Sequence, residues 1–220
     1  MIGERLLRYS KDLNLICFDV ESTSLNLIFT QVWQLGYLIY EDNKLVKTVE
    51  DWIKWPGDFE MSKDAARITG WTKEEYERRG QDPVKVLDKF EKYYFNEKYL
   101  LLGANIFNFD VPVINSYRRM LGRESVYEKY LKRCVCVQSI EKAIELQMEL
   151  PKIGTSEWVS AMFKLSGYRK RGLKTNLAFL AKKHDVTYDE NRHHFESSYD
   201  CSLVYEIFKK QCWKLELENI

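Results

Sequence analysis

The sequence predicts an α/β fold, a mixed five-stranded sheet flanked by helices, and three observations predict it. The first fifty residues hold three strand-like runs in succession, as a meander would. Short apolar runs then alternate with segments of helical periodicity, and helical patterns alone fill the last third. A meander followed by alternation places antiparallel and parallel strands in one sheet and supplies the helices to cover it.

In chain order, the opening strands are Leu13–Val20, Val32–Tyr40 and Leu45–Ile53. Glu41, Asp42 and Asn43 form a tight turn, so the second and third strands make a hairpin. Trp55-Pro56-Gly57 breaks the third strand. Helices are expected over Lys63–Ile68 and from Pro83 to about Phe95, the latter with Asp82 as cap and proline in its first turn. Lys73, Glu74 and Glu75 read as a solvated helical face. Tyr99–Ala104 is a short strand, Asp110–Leu121 a helix stopped by Gly122, and Lys132–Val137 a further strand. Helical patterns follow over Ser139–Leu150, Glu157–Leu165, Asn176–His184 and Ser198–Lys214.

With 220 residues, 45% of them hydrophobic, and only four prolines, the chain can bury a sizeable core. One domain is expected over residues 1–220, its motif-bearing core running from about 13 to 210. A net charge of +1 excludes the broad basic footprint of a charge-driven nucleic-acid binder, so any such partner is held by local patches or through a metal. The five cysteines (Cys17, Cys134, Cys136, Cys201, Cys212) are odd in number, lie mostly in apolar runs and have no CxxC spacing; they read as reduced and packed. The N-terminal MIGERLLRYSKD has no signal-peptide core, and no apolar run reaches membrane-spanning length. A soluble, cytoplasmic protein without a membrane partner is expected.

The chemistry lies in acids at awkward places. Leu15–Leu25 (LICFDVESTSL) is a buried strand that ends in Asp19 and Glu21, which alternation puts on one face. Adjacent carboxylates repel unless a cation lies between them. Asp110 opens a helix after the apolar strand and the loop Asn105-Ile106-Phe107-Asn108-Phe109. Asp200 falls early in a helix whose Leu203, Val204, Ile207 and Phe208 face the core, where an acid needs a partner. Four carboxylates from separated segments form a donor set suited to magnesium or manganese. Two such ions about 4 Å apart clamp both oxygens of an in-line phosphoryl displacement.

These segments resemble, in order, the motifs of the DEDD superfamily of 3′→5′ exonucleases, which has the ribonuclease H-like fold. Asp19-Val20-Glu21-Ser22-Thr23-Ser24-Leu25 is similar to the family's D-x-E-T-T-G-L, with serine at two positions. Val32-Trp33-Gln34-Leu35-Gly36 is similar to I-x-Q-I-G, and Met61–Trp71 with Thr72 to the linking segment I-H-G-I-T. Asn105 with Phe109-Asp110 follows the second motif, and Asn176–Ala181 the helix before the third. The likeness runs from about Leu13 to Phe208. It is closest to the histidine (DEDDh) subgroup, with one departure. The residue five before Asp200 is Phe195, so His194 stands one position early and His193 two.

The resemblance implies a metal-dependent 3′→5′ exonuclease releasing mononucleotides from single-stranded DNA with two Mg2+ (or Mn2+) ions. Asp19 would bridge the ions, Glu21 and Asp200 would complete one site, and Asp110 would hold the other. His194, or else His193, would be the general base. The Thr23 backbone and Leu25 would meet the terminal nucleotide, unless Leu25 is a core residue. Trp71 lies in the segment that approaches the substrate in the family, and Asn105 in the second motif. Trp33, Trp52 and Trp158 read as core, and His184 as a residue without a chemical role. The basic loop Gly167–Lys174, with Arg169, Lys170, Arg171 and Lys174 beside Tyr168, is a candidate for the phosphates of a single strand. Arg118, Arg119 and Arg123 form a second candidate patch. The implied partners are the 3′ end of a single strand and a polymerase or another replication or repair protein. Two alternatives remain: an exoribonuclease of the same superfamily, whose metal chemistry would be identical, and a catalytically weak member that binds nucleic acid or a polymerase.

Overall fold

Residues 13–189 and 196–212 are described by the computed structural model. Within them the three opening runs become β1 (Leu15–Ser22), β2 (Val32–Glu41) and β3 (Lys44–Trp52). Asp42 and Asn43, with φ of 49° and 61°, make the two-residue connection between β2 and β3. Positive φ at both turn positions matches the twist of the strands it joins, and Asn and Asp tolerate it best after glycine. β2 is antiparallel to both neighbours. β4 (Leu100–Gly103) and β5 (Cys134–Cys136) add in parallel on the other side of β1, giving the order β3-β2-β1-β4-β5.

Capping residues set where the helices begin. α1 (Lys63–Thr69) starts at Ser62, whose side chain accepts from the Ala65 N–H, and ends at Gly70 with φ 67°. Thr72 caps α2 (Lys73–Arg79), so the charged triplet 73–75 is the first turn of a helix. Asp82 caps α3 (Pro83–Tyr94), with proline at the first turn as the sequence predicts. α4 (Asp110–Met120), α5 (Val137–Glu145), α6 (Ser156–Gly167), α7 (Leu177–Lys183) and α8 (Ser197–Cys212) follow. Two elements fall three residues short of their sequence patterns. Leu131–Arg133 is a 3-10 turn, which delays β5 to Cys134, and α5 stops before Gln147, whose φ is 51°.

Alternation along β1 sorts its residues between two layers. Phe18 packs on Phe90 and Tyr94 of α3 at ring separations of 5.4 and 5.6 Å. The opposite set, Cys17, Asp19 and Glu21, therefore faces the layer of α8. There Tyr205 stacks on Tyr40 at 3.7 Å, and Cys201 Sγ lies 3.5 Å from the Gly36 carbonyl. Gly36 pairs with Asp19 across the sheet. A Cβ on Gly36 would come within 2.7 Å of the Ser197 backbone carbon, so only glycine lets α8 start against the sheet.

Trp33, Trp52 and Trp158 are buried, as expected, and all five cysteines are free thiols, four of them buried. No described helix is long and apolar enough to cross a membrane.

Candidate active site

The elements that carry the four acids bring them to one neighbourhood on the sheet. Asp19 and Glu21 lie two residues apart at the carboxyl end of β1. Asp110, first residue of α4 and 2% exposed, accepts at Oδ1 from the Val20 N–H at 3.2 Å, which sets it between them in height. Asp200, in the first turn of α8 and 5% exposed, is carried to the same face by the approach of that helix to Gly36.

Their electrostatics agree with this placement. Burial pushes Asp19 well above the usual carboxylate range, and the charges of Asp110, Glu21 and Asp200 push it further. Burial likewise raises Glu21, followed by Asp200 and Asp110. Burial raises Asp110 to about 7 against the pull of its hydrogen bonds with backbone N–H groups. Asp19 and Glu21 keep partial solvent access, yet enough protein surrounds them for desolvation to dominate. Among the described residues no three His, Cys, Asp or Glu side chains stand close enough to hold a metal ion as placed. Unneutralised carboxylates repel, so gathering them takes side-chain rotation on backbones that already lie side by side. The donor set itself, all carboxylate oxygen, fits magnesium or manganese.

The loop from β1 to β2 is braced against itself. Thr23 N–H donates to the Gln31 carbonyl at 3.0 Å, and Gln31 N–H returns to Thr23 Oγ1 at 3.1 Å. Ser24 N–H donates to Thr30 Oγ1, Ile28 N–H to Asn26 Oδ1, and Ser116 Oγ on α4 to the Leu27 carbonyl. Thr23 is buried, whereas Leu25 is 84% exposed and does not belong to the core. Ile28 and Phe29 are also exposed, at 62% and 77%. Sequence reasoning missed them, although an apolar Leu-Ile-Phe in a polar connection was a signal. Ser62 N–H donates to the Thr23 carbonyl at 3.3 Å, bringing the start of the Met61–Trp71 segment to this loop. Trp71 itself is half-buried and packs on Phe59 and Tyr76, beside Trp33 and Trp52.

Asn105 occupies the β4–α4 turn with φ 57°, its side-chain oxygen accepting from Asn108 Nδ2 at 3.0 Å. Arg169, Lys170 and Arg171 are exposed and share a cleft with Asn105. The second basic patch dissolves. Arg118 is 7% exposed, ion-paired to Glu91 and hydrogen-bonded to the Glu124 carbonyl. Arg123 pairs with Glu91 and Asp88, and Arg119 donates to Ser116 Oγ. Arg118 and Arg123 tie α4 and the turn after it to α3, and phosphates would have to compete with carboxylates for both. His193 and His194 lie outside the described residues. His184 is buried with its Nε2 2.7 Å from Glu141 Oε2, where Gln211 and Lys183 also bind; it holds α5, α7 and α8 together.

No family model matches the chain. It is 29% identical over 111 residues to the PolC-type DNA polymerase III of Pediococcus pentosaceus, covering 50% of this chain and 7% of that protein. It superposes on E. coli exonuclease I in complex with a dA16 oligonucleotide with a TM-score of 0.71 and 14% identity, over 92% of this chain and 41% of that one. With the 5cy-dT13 complex of the same enzyme the TM-score is 0.68 at 13% identity, over 91% and 40%. The chain has the ribonuclease H-like fold. At these identities the likeness is one of fold, and the chain spans less than half the length of the exonuclease I structures.

Proposed function

We propose that the chain is a 3′→5′ exonuclease that hydrolyses phosphodiester bonds at the 3′ end of single-stranded DNA and releases mononucleotides with two Mg2+ or Mn2+ ions. One observation carries the proposal: four carboxylates from β1, α4 and α8 meet on one patch, where those of β1 are raised by burial and by the rest of the cluster. A fold has no structural use for such an arrangement, which stabilises nothing by itself.

Asp19, Glu21 and Asp200 would hold one ion, and Asp110 with Asp19 the other. When bound, the ions supply charge neutralisation and a clamp on the oxygens either side of the phosphorus. The chain's own residues do the rest. The Val20 N–H holds the Asp110 carboxylate in register with β1. The braced loop presents Leu25 to the terminal base at no ordering cost, because its hydrogen bonds are already made. His194 takes the proton from the attacking water, a task matched to an imidazole pKa near 6.5. The stretch shared with a PolC-type DNA polymerase III and the oligonucleotide-bound neighbours support DNA as substrate and work beside a polymerase.

The test is incubation with matched 3′- and 5′-labelled single strands of DNA and RNA, with magnesium, manganese or chelator. Labelled mononucleotide should leave the 3′ label first, only with metal and faster from DNA. Asp19→Ala should abolish this release while the protein stays folded. Cutting of circular single strands, or activity in chelator, overturns the proposal.

A further inference from the structure

The parallel strands β1, β4 and β5 present their carboxyl ends along one edge, where open α/β sheets place ligands. The acids occupy the β1 end. A cleft of about 710 Å³ opens beside the other two, reached by Asn105 after β4 and by Gln138 after β5. Lys142, Arg169, Lys170, Arg171 and Lys174 also line it, and none of its lining residues is acidic. In a chain of net charge +1, five cations in one concavity are a strong local departure, and concave walls focus their field.

Lys142 is the least expected member. It is 4% exposed, and its ammonium donates to the carbonyls of Leu165 and Ser166, at 2.9 and 3.0 Å, where α6 ends. Burial first, and then the charge of Arg169, holds its pKa below the usual lysine range. An ammonium has three donors, so one remains for a ligand. Arg169 is anchored in turn to the carbonyls of Ser166 and Tyr168, at 2.6 and 2.9 Å, which fixes its guanidinium at the cleft. Half-buried Tyr168 offers a ring on which a base can stack.

Distance and shape select the ligand. One inter-strand step of about 4.8 Å separates β1 from β4 and two separate it from β5, so the cleft runs from roughly 5 Å to 10 Å and beyond from the acids. At about 3.4 Å per nucleotide, the spacing along one stacked strand of a duplex, it begins one or two nucleotides from the acids and reaches three or more. Five cations spread over a cleft of about 710 Å³ suit the repeated charges of a polynucleotide better than the charge of one phosphate.

We propose that this cleft grips the phosphates of a single DNA strand two to four linkages upstream of the bond being cut, with Lys142 as its buried anchor. The proposal takes strand polarity from the exonuclease reading. Grip then comes from the cleft and chemistry from the acids, which would otherwise repel the strand.

Fluorescence anisotropy in chelator, with single-stranded DNA of two to ten nucleotides, tests this without hydrolysis. Affinity should climb to about six nucleotides and then level. Neutral methylphosphonates at the second to fourth linkages from the 3′ end should weaken binding, and the same change farther upstream should not. The double variant Lys170→Glu, Arg171→Glu, on exposed loop positions whose folding thermal melts will verify, should bind the longest strand at least about tenfold less tightly. Its log–log salt slope should fall by roughly 0.7 for each phosphate that the variant no longer neutralises. Affinity indifferent to length or to the double reversal overturns the proposal. Length-dependent binding by a protein that releases no nucleotide with metal supports the cleft and removes the exonuclease reading. Nucleotide release with a length-independent KM does the opposite.

Discussion

Replacing Asp110 by asparagine should make the metal-free protein more stable at pH 8, although it removes a carboxylate of the proposed active site. Asparagine keeps an oxygen in place for the Val20 N–H and discards only the charge. Burial raises the Asp110 carboxyl from 3.8 to about 7. The unfolded chain ionises through about pH 4 and the folded chain through about pH 7, so the folded state is at full strength below pH 4 and weakens as pH rises to 7. At about 1.4 kcal/mol per tenfold change in proton affinity, the loss above pH 7 is about 4 kcal/mol. For a chain of this length that corresponds to a fall in Tm on the order of 10 °C. The assay is thermal unfolding in chelator at pH 5 and pH 8 for wild type and Asp110→Asn, where the difference between the two cancels titrating groups remote from Asp110, while Asp19 and Glu21, relieved of its charge, add in the same direction. The variant should lose less stability between the two pH values and melt higher at pH 8. Added Mg2+ or Mn2+ should lift the wild type at pH 8 far more than the variant, because binding to the folded state alone adds stability. Equal melting of the two proteins at pH 8 in chelator would refute the reasoning.

Gly36→Ala should lower the free energy of unfolding in denaturant by about 1–3 kcal/mol and reduce nuclease activity severalfold beyond what the lost folded fraction explains, because the new Cβ pushes on the Ser197 backbone and moves the turn that carries Asp200. Glu141→Ala should cost about 3–5 kcal/mol in urea unfolding, since it leaves buried His184 without its carboxylate partner and removes one of the two acceptors of Gln211 Nε2, which keeps the Val137 carbonyl; the exposed Glu145→Ala should cost less than about 1 kcal/mol. Leu25→Ala with Phe29→Ala should change stability by no more than about 0.5 kcal/mol, as both side chains are exposed, while raising KM for single strands. His194→Ala should slow turnover roughly 10²–10⁴-fold with little change in affinity, and His193→Ala should be nearly silent; the reverse pattern would transfer the role to His193.

By itself the sequence determined what neighbours along the chain decide. The alternation in Leu15–Ser22, the Asp42-Asn43 turn, the cap at Asp82, and the ordered motifs around the acids all depend on residues a few positions apart, where side-chain period and backbone preference act. Tertiary structure decided which of two similar groups is already engaged. Arg118 and Arg123 read in the sequence much like Arg169 and Arg171, yet the first pair closes on the carboxylates of Glu91 and Asp88 while Arg169, held by the carbonyls of Ser166 and Tyr168, lines with Arg171 a cleft that has no acidic residue. Leu25 reads like any apolar residue until the Thr23–Gln31 and Ser24–Thr30 bonds hold it out in solvent. Lys142 gave no signal at all, because the carbonyls that hold it lie 23 and 24 residues away. Asp110 meets the Val20 N–H over a separation of 90 residues. Charge and hydrogen bonding are satisfied by whatever packing brings near, and no local periodicity carries that information.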